Sequence, residues 1–179
     1  MRAPRLGLIV VVLNVLTAVA QNPIASRPYD APEAYRIYSL LIAREEASGT
    51  KVPLVIREET DTSASAVGGA CLSPEAAKRF KDSISDLERL RTKLWRLQRH
   101  FQIERPYEIV SGKDLASRAP LSGGYSFMSP VGFNKNKTLA IVYYGSICGG
   151  LCGQEKFHLL EKINGQWKEV PGVTGVTVS

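Results

Sequence analysis

The chain has 179 residues, is 44% hydrophobic and 22% charged, and carries a formal net charge of +6. That length suits one domain with a real core rather than two. The charge excess is too mild to imply a nucleic-acid partner.

Arg2 and Arg5 precede an apolar stretch over 6–15, interrupted only by Gly7 and Asn14, and Ala18, Val19 and Ala20 follow. This is the layout of a secretory signal peptide. A spanning helix needs about 20 apolar residues, and Asn14, Thr17, Gln21, Asn22 and Pro23 cut this run short. Cleavage near Ala20 is expected, leaving one domain over 21–179 with no transmembrane span. No cysteine follows the apolar core, so a lipid anchor on that residue is not available. The mature chain is expected to be exported, periplasmic or extracellular. Loss of two arginines leaves 21 basic against 17 acidic residues, a charge of +4.

Asp30, Pro32 and Glu33 read as a helix start, with aspartate as N-cap. Ala34, Ile37, Tyr38, Leu41 and Ile42 follow at helical spacing, and the helix should end before Gly49. Residues 51–58 read as a strand, with Pro53 favouring an edge position or a strand start. Thr, Ser, Ala and Gly then mark 59–70 as a loop. From Ser73, apolar residues Ala77, Phe80, Ile84, Leu87, Leu90, Leu94, Leu97 and Phe101 recur every three or four positions. The spacing predicts one long helix over 73–101, about 40 Å at 1.5 Å per residue. A capping-box pattern at Ser85 and Glu88 places any kink near 83–85.

After Pro106 the pattern becomes strand-like: 107–110, 125–133, 139–144, 157–163 and 166–170, while the connection over 113–123 has no clear form. Asn164-Gly165 between two apolar-patterned runs is a hairpin signal. With Gly150 at the tip of the preceding hairpin, Tyr143 faces Phe157, Ile141 faces Leu159, Val142 faces His158 and Cys148 faces Cys152. Facing residues lie about 4.5 to 5.5 Å apart at Cα, within the range of about 4.4 to 6.8 Å that a disulfide spans. Such a bridge would contribute only about 2 kcal/mol, stiffening the turn rather than holding the fold. Three other readings compete. A redox pair has one residue too many for Cys-x-x-Cys and no helix after it. A metal site would need His158 as third ligand, about 20 Å along an extended strand from Cys152. Cys71 would otherwise pair with one of the two, or stand as an odd thiol.

The C-terminal third resembles a set of uncharacterised exported bacterial proteins with a shared signature. The matching residues are Val131, Gly132, Phe133 and Asn134, the strand 139–144, and Cys148 with Gly149, Gly150, Leu151, Cys152 and Gly153. Leu159, Leu160, Glu161 and Lys162, then Gly165, Gln166 and Trp167, complete it. Gln154, Glu155 and Lys156 depart from the small residues expected after the second cysteine. The resemblance implies no activity.

Arg89, Arg91, Lys93, Arg96, Arg99 and His100 crowd the end of the expected helix, with no acid between Glu88 and Glu104. Arg89, Lys93, Arg96, Arg99 and, apart from them, His158 form the candidate binding surface, for an anionic surface or an envelope protein. The bland alternative is a solvated helix face. No nucleophile elbow, zinc-protease helix or P-loop is present, and Ser48 and Lys51 spell Ser-x-x-Lys outside a helix start. No cofactor or metal is expected. The expected fold is α+β: a mostly antiparallel sheet, its C-terminal meander packed on the long helix, with the N-terminal helix on the same face or at an edge. The expected function is a non-catalytic binding or envelope-interaction module; the alternative is an exported hydrolase or thiol oxidoreductase. A pocket lined by His158, Glu161 or tyrosines would favour a ligand binder or enzyme, and a flat surface a protein partner.

Overall fold

The computed structural model describes residues 26–46, 54–63, 71–117, 124–147, 153–173 and 177–178. Strand β1 (Arg27–Pro28) leads into helix α1 (Pro32–Glu46). The Ala34 and Tyr35 amides both donate to the Ala31 carbonyl, so the cap falls on Ala31 and not on the expected Asp30, which is exposed. Ala34, Ile37, Tyr38, Leu41 and Ile42 are all buried, as the 3.6-residue period predicts. Next come β2 (Leu54–Arg57), α2 (Pro74–Arg79), α3 (Lys81–Arg91), β3 (Trp95–Arg96) and β4 (Tyr107–Val110). Helix α4 (Gly112–Ser117) occupies the connection that had no clear form. Ser111 caps it, its Oγ accepting the Asp114 amide at 3.1 Å. The chain closes with β5 (Tyr125–Met128), β6 (Gly132–Phe133), β7 (Leu139–Ile147), β8 (Gly153–Ile163), β9 (Gln166–Val170) and β10 (Thr177–Val178).

The long helix is corrected in two places. It breaks at Phe80, whose φ of −95° and ψ of 11° lie outside helical values, and it stops at Arg91. The break does not fall at 83–85, where the capping-box pattern would have put any kink, because Ser83 and Ser85 sit inside α3. Beyond Arg91 the backbone is taken by distant partners. The Thr60 amide donates to the Trp95 carbonyl, the Leu97 amide to the Glu58 carbonyl and the Tyr29 amide to the Arg96 carbonyl. The Trp95 indole N–H donates to the Leu90 carbonyl at 3.0 Å, satisfying one group at the open helix end. The apolar residues of 73–101 also serve two separate clusters. Phe80 and Leu87 pack with Ile141 and Leu159, whereas Leu97 and Phe101 pack with the tyrosines of α1. One straight helix could not reach both.

One mixed sheet runs in the order β10-β8-β7-β5-β2-β4, with β6 also on β7 and β9 also on β8. The β5–β7–β8–β9 part is antiparallel, as expected. Strand β2 lies parallel to both β4 and β5. It is therefore interior rather than at an edge; Pro53 itself lies outside the described residues, which begin this strand at Leu54. Ile141 pairs with Leu159, Val142 with His158 and Tyr143 with Phe157, the register read from the sequence. Asn164 and Gly165 both have positive φ, 51° and 79°, as a two-residue hairpin turn requires.

Alternation along the two central strands separates the faces. Ala140, Val142, Tyr144 and Leu160 join the cluster beneath α1. Ile141, Phe157 and Leu159 join the cluster beneath α2 and α3. The N-terminal helix thus covers the face opposite to α3, not the same face or an edge. The class is α+β, with the sheet enclosed on both sides. Among the described residues no helix is long and apolar enough to cross a membrane.

Candidate functional site

The face under α1 opens into a cleft of about 310 Å³ where the last turn of that helix meets β7, β8 and β9. Helix α1, β8 and β9 send acidic or basic groups into it, each for a local reason. Residues Tyr144, Lys156 and His158 share a face because Tyr144 pairs with Lys156 and Val142 with His158 in the β7–β8 ladder. Strand β9 returns Glu169 opposite Leu160, diagonal to His158. Arg44 and Glu45 come from the final turn of α1.

Glu169 is the centre of charge. Its Oε1 lies 2.9 Å from His158 Nδ1 and 3.5 Å from Lys156 Nζ, and Arg44 holds the other oxygen. The hydrogen bond from His158 outweighs the burial that opposes it and, with Lys156 and Arg44 alongside, holds the carboxyl down to about 2. An ionised carboxylate only accepts, so Nδ1 carries the proton and Nε2 is the ring nitrogen left to a ligand. Glu45 makes the second centre, accepting one hydrogen bond from the Tyr144 hydroxyl and one from the Ser146 hydroxyl. Burial and the Glu45 carboxylate push the Tyr144 phenol well above its ordinary value, which keeps it a neutral donor. The Ser126 hydroxyl lies 3.3 Å from the same phenol oxygen. The Tyr144 ring stands edge-on to the His158 ring at 5.9 Å, linking the two centres.

Chemically, this is a mixed-charge cleft whose groups are already held by one another. His158 oriented by Glu169 has the geometry of a base and its positioning carboxylate. The nearby hydroxyls are committed elsewhere, Ser146 and Tyr144 to Glu45.

Of the candidate surface residues, only His158 lies in the cleft. The basic residues do not form one helix face, because the helix ends at Arg91. Arg89 is paired with Asp86 at 2.6 Å, and Arg99 lies over the Tyr107 ring at 5.4 Å. Lys93 sits in the turn after α3, and Arg96 on β3. His100 packs edge-on to Tyr35 at 5.1 Å. Glu161 faces the other side of the sheet, where Arg79 of α2 holds it. Cys148 and Cys152 lie outside the described residues; the ladder is described as far as Ile147 opposite Gly153. Cys71 is a half-buried free thiol.

Sequence reasoning missed Arg44, Glu45, Tyr144, Lys156 and Glu169. The signal for Glu169 was present: extending the Asn164-Gly165 hairpin by three pairs puts it opposite Leu160, beside His158. Arg44 and Glu45 had no such signal, because their place depends on how α1 docks. No family model, curated protein or solved structure matches the chain.

Proposed function

We propose that the chain is an exported, non-catalytic binding module that takes a small polar ligand, bearing both a positive and a negative group, into the His158 cleft. The observation that carries this reading is the paired arrangement of charge. Lys156 and Arg44 stand around Glu169 while Glu45 is held by two hydroxyls, so both signs are presented within one cleft. Groups fixed by one another lose little freedom when a ligand arrives, which favours binding. The leader-like pattern over 1–20 and the resemblance of the C-terminal third support export, to the cell envelope or outside the cell.

Calorimetric titration of the mature chain with free amino acids and dipeptides tests the reading. Saturable binding is expected, lost in Glu45→Gln and in Lys156→Met and kept in Arg79→Gln on the opposite face. No heat with any of these ligands would overturn it.

A second reading rests on the His158–Glu169 pair, which suits a hydrolase that activates water at Nε2. Turnover of chromogenic esters or amides, abolished in His158→Ala, would favour that reading over simple binding.

A further inference from the structure

A second hollow, remote in character from the His158 cleft, forms where α3 gives way to β3. It measures about 530 Å³ and is lined by Arg27, Thr62, Arg91, Thr92, Lys93, Leu94 and Trp95. No carboxylate is among these residues. The parallel pairing of β1 with β3 sets Arg27 directly beside Trp95, although 67 positions separate them in the chain. Lys93 joins from the turn that ends the helix.

Trp95 is held rigidly. Its indole N–H is committed to the Leu90 carbonyl at 3.0 Å, its backbone N–H to the Thr60 hydroxyl at 3.1 Å, and its ring packs against Tyr29 at 5.9 Å. With its indole N–H satisfied, the half-buried Trp95 contributes aromatic, apolar surface to the lining of the hollow. Arg91 is paired with Glu88 and contributes little charge. Arg27 and Lys93 are exposed, and among the described residues neither has an acidic partner. Thr62 and the Thr92 hydroxyl complete the rim; the latter donates to the Arg89 carbonyl at 2.9 Å and so keeps its acceptor capacity.

We infer that this hollow binds an acidic oligosaccharide, with a sugar ring lying on Trp95 and a carboxylate or sulfate held by Arg27 and Lys93. A fixed aromatic face beside two unpaired cations and two hydroxyls matches a ring whose faces are C–H and whose edge is hydroxyl and anion. A membrane surface would instead call for an amphipathic helix with a broad apolar face, and two cations are few for a nucleic-acid backbone. The inference is independent of the His158 cleft.

The experiment is binding of the mature chain to a six-unit galacturonate oligomer at low salt, read by tryptophan fluorescence and by calorimetry. Saturable binding with a change in fluorescence is expected. Affinity should fall about tenfold or more in the double variant Arg27→Gln with Lys93→Gln, the scale of one charge-assisted hydrogen bond. It should persist in Lys135→Gln with Lys137→Gln, which removes two exposed cations elsewhere. Both pairs lie on the surface, so folding is not at risk, and circular dichroism checks it. Trp95→Phe should bind more weakly while the neutral maltohexaose binds to none of the proteins. Absence of saturable binding, or equal loss in the two double variants, would overturn the inference. Tighter binding to phosphatidylglycerol vesicles or to a single-stranded oligonucleotide than to the galacturonate would overturn it as well.

Discussion

Gly132 and Ser83 meet backbone to backbone: a β-carbon on Gly132 would stand 2.1 Å from the Ser83 carbonyl oxygen and 2.6 Å from the Leu87 amide nitrogen. Helix α3 therefore lies directly on β6, closer than any side chain would allow. The contact also satisfies polar groups, since Asp86 Oδ2 accepts the Phe133 amide at 3.0 Å and the Ser83 hydroxyl donates to the Leu139 carbonyl at 3.2 Å. Gly132 thus has a physical role in docking the helix.

Gly132→Ala should consequently be costly, at about 3 kcal/mol, because the atoms it meets are backbone and cannot rotate away. Gly165→Ala is the internal comparison. It has open space around it, and a left-handed φ of 79°, so only the conformational term of roughly 1 kcal/mol applies. Urea unfolding of the two variants checks the ranking. Equal losses, or a larger loss at Gly165, would contradict the close packing of α3 on β6.

Glu169 makes the stability of the fold depend on pH. Its carboxyl sits at about 2 in the folded chain against an ordinary 4.5, so folding favours the ionised form. The stabilisation is complete above pH 4.5 and is lost as the pH falls toward 2. Glu169→Gln lacks this dependence. The difference in unfolding free energy between the parent chain and the variant should be largest near pH 6 and shrink steadily between pH 4.5 and 2. Urea midpoints at four pH values in that window provide the measurement. A constant difference across the window would show that the carboxylate gains nothing from His158, Lys156 and Arg44.

What was legible in the chain was mostly what neighbours in sequence decide. The β7–β8 register follows from the period-2 pattern around a glycine turn, so Tyr143 opposite Phe157 needed no knowledge of other elements. The Asn164-Gly165 turn is equally local, since both residues tolerate positive φ. The helix over 73–101 failed for the opposite reason. Leu94, Leu97 and Phe101 continue the helical phase, yet the backbone at Trp95 and Leu97 is claimed by Thr60 and Glu58, far away in sequence. The interior position of β2 was hidden in the same way, because both its partners come from later segments. In the site, His158 stood out as one of only two histidines. Arg44 and Glu45 looked like an ordinary charged helix end until α1 was docked on the sheet. Arg27 and Trp95 had no visible relation before the pairing of β1 with β3 was known.

The cysteines give the last prediction. The β7–β8 ladder is described up to Ile147 opposite Gly153, and the same register, if continued in sequence, would set Cys148 opposite Cys152. We propose that these two form a disulfide, as the oxidising environment met by an exported chain would allow. Cys71 would then be the single thiol, half-buried beneath the α2 side of the sheet. Thiol titration of protein recovered from its own compartment should give one reactive group per chain in denaturant without reductant, and three after reduction. In native conditions that one group should react slowly, because burial restricts access to the thiolate. Closing so short a loop contributes only about 2 kcal/mol, so reduction should lower the unfolding midpoint modestly and leave the fold and the His158 cleft intact. Three thiols without reductant would remove the bridge. A single thiol that proves by peptide mapping to be Cys148 or Cys152 would remove it equally, since Cys71 would then be a partner in the disulfide.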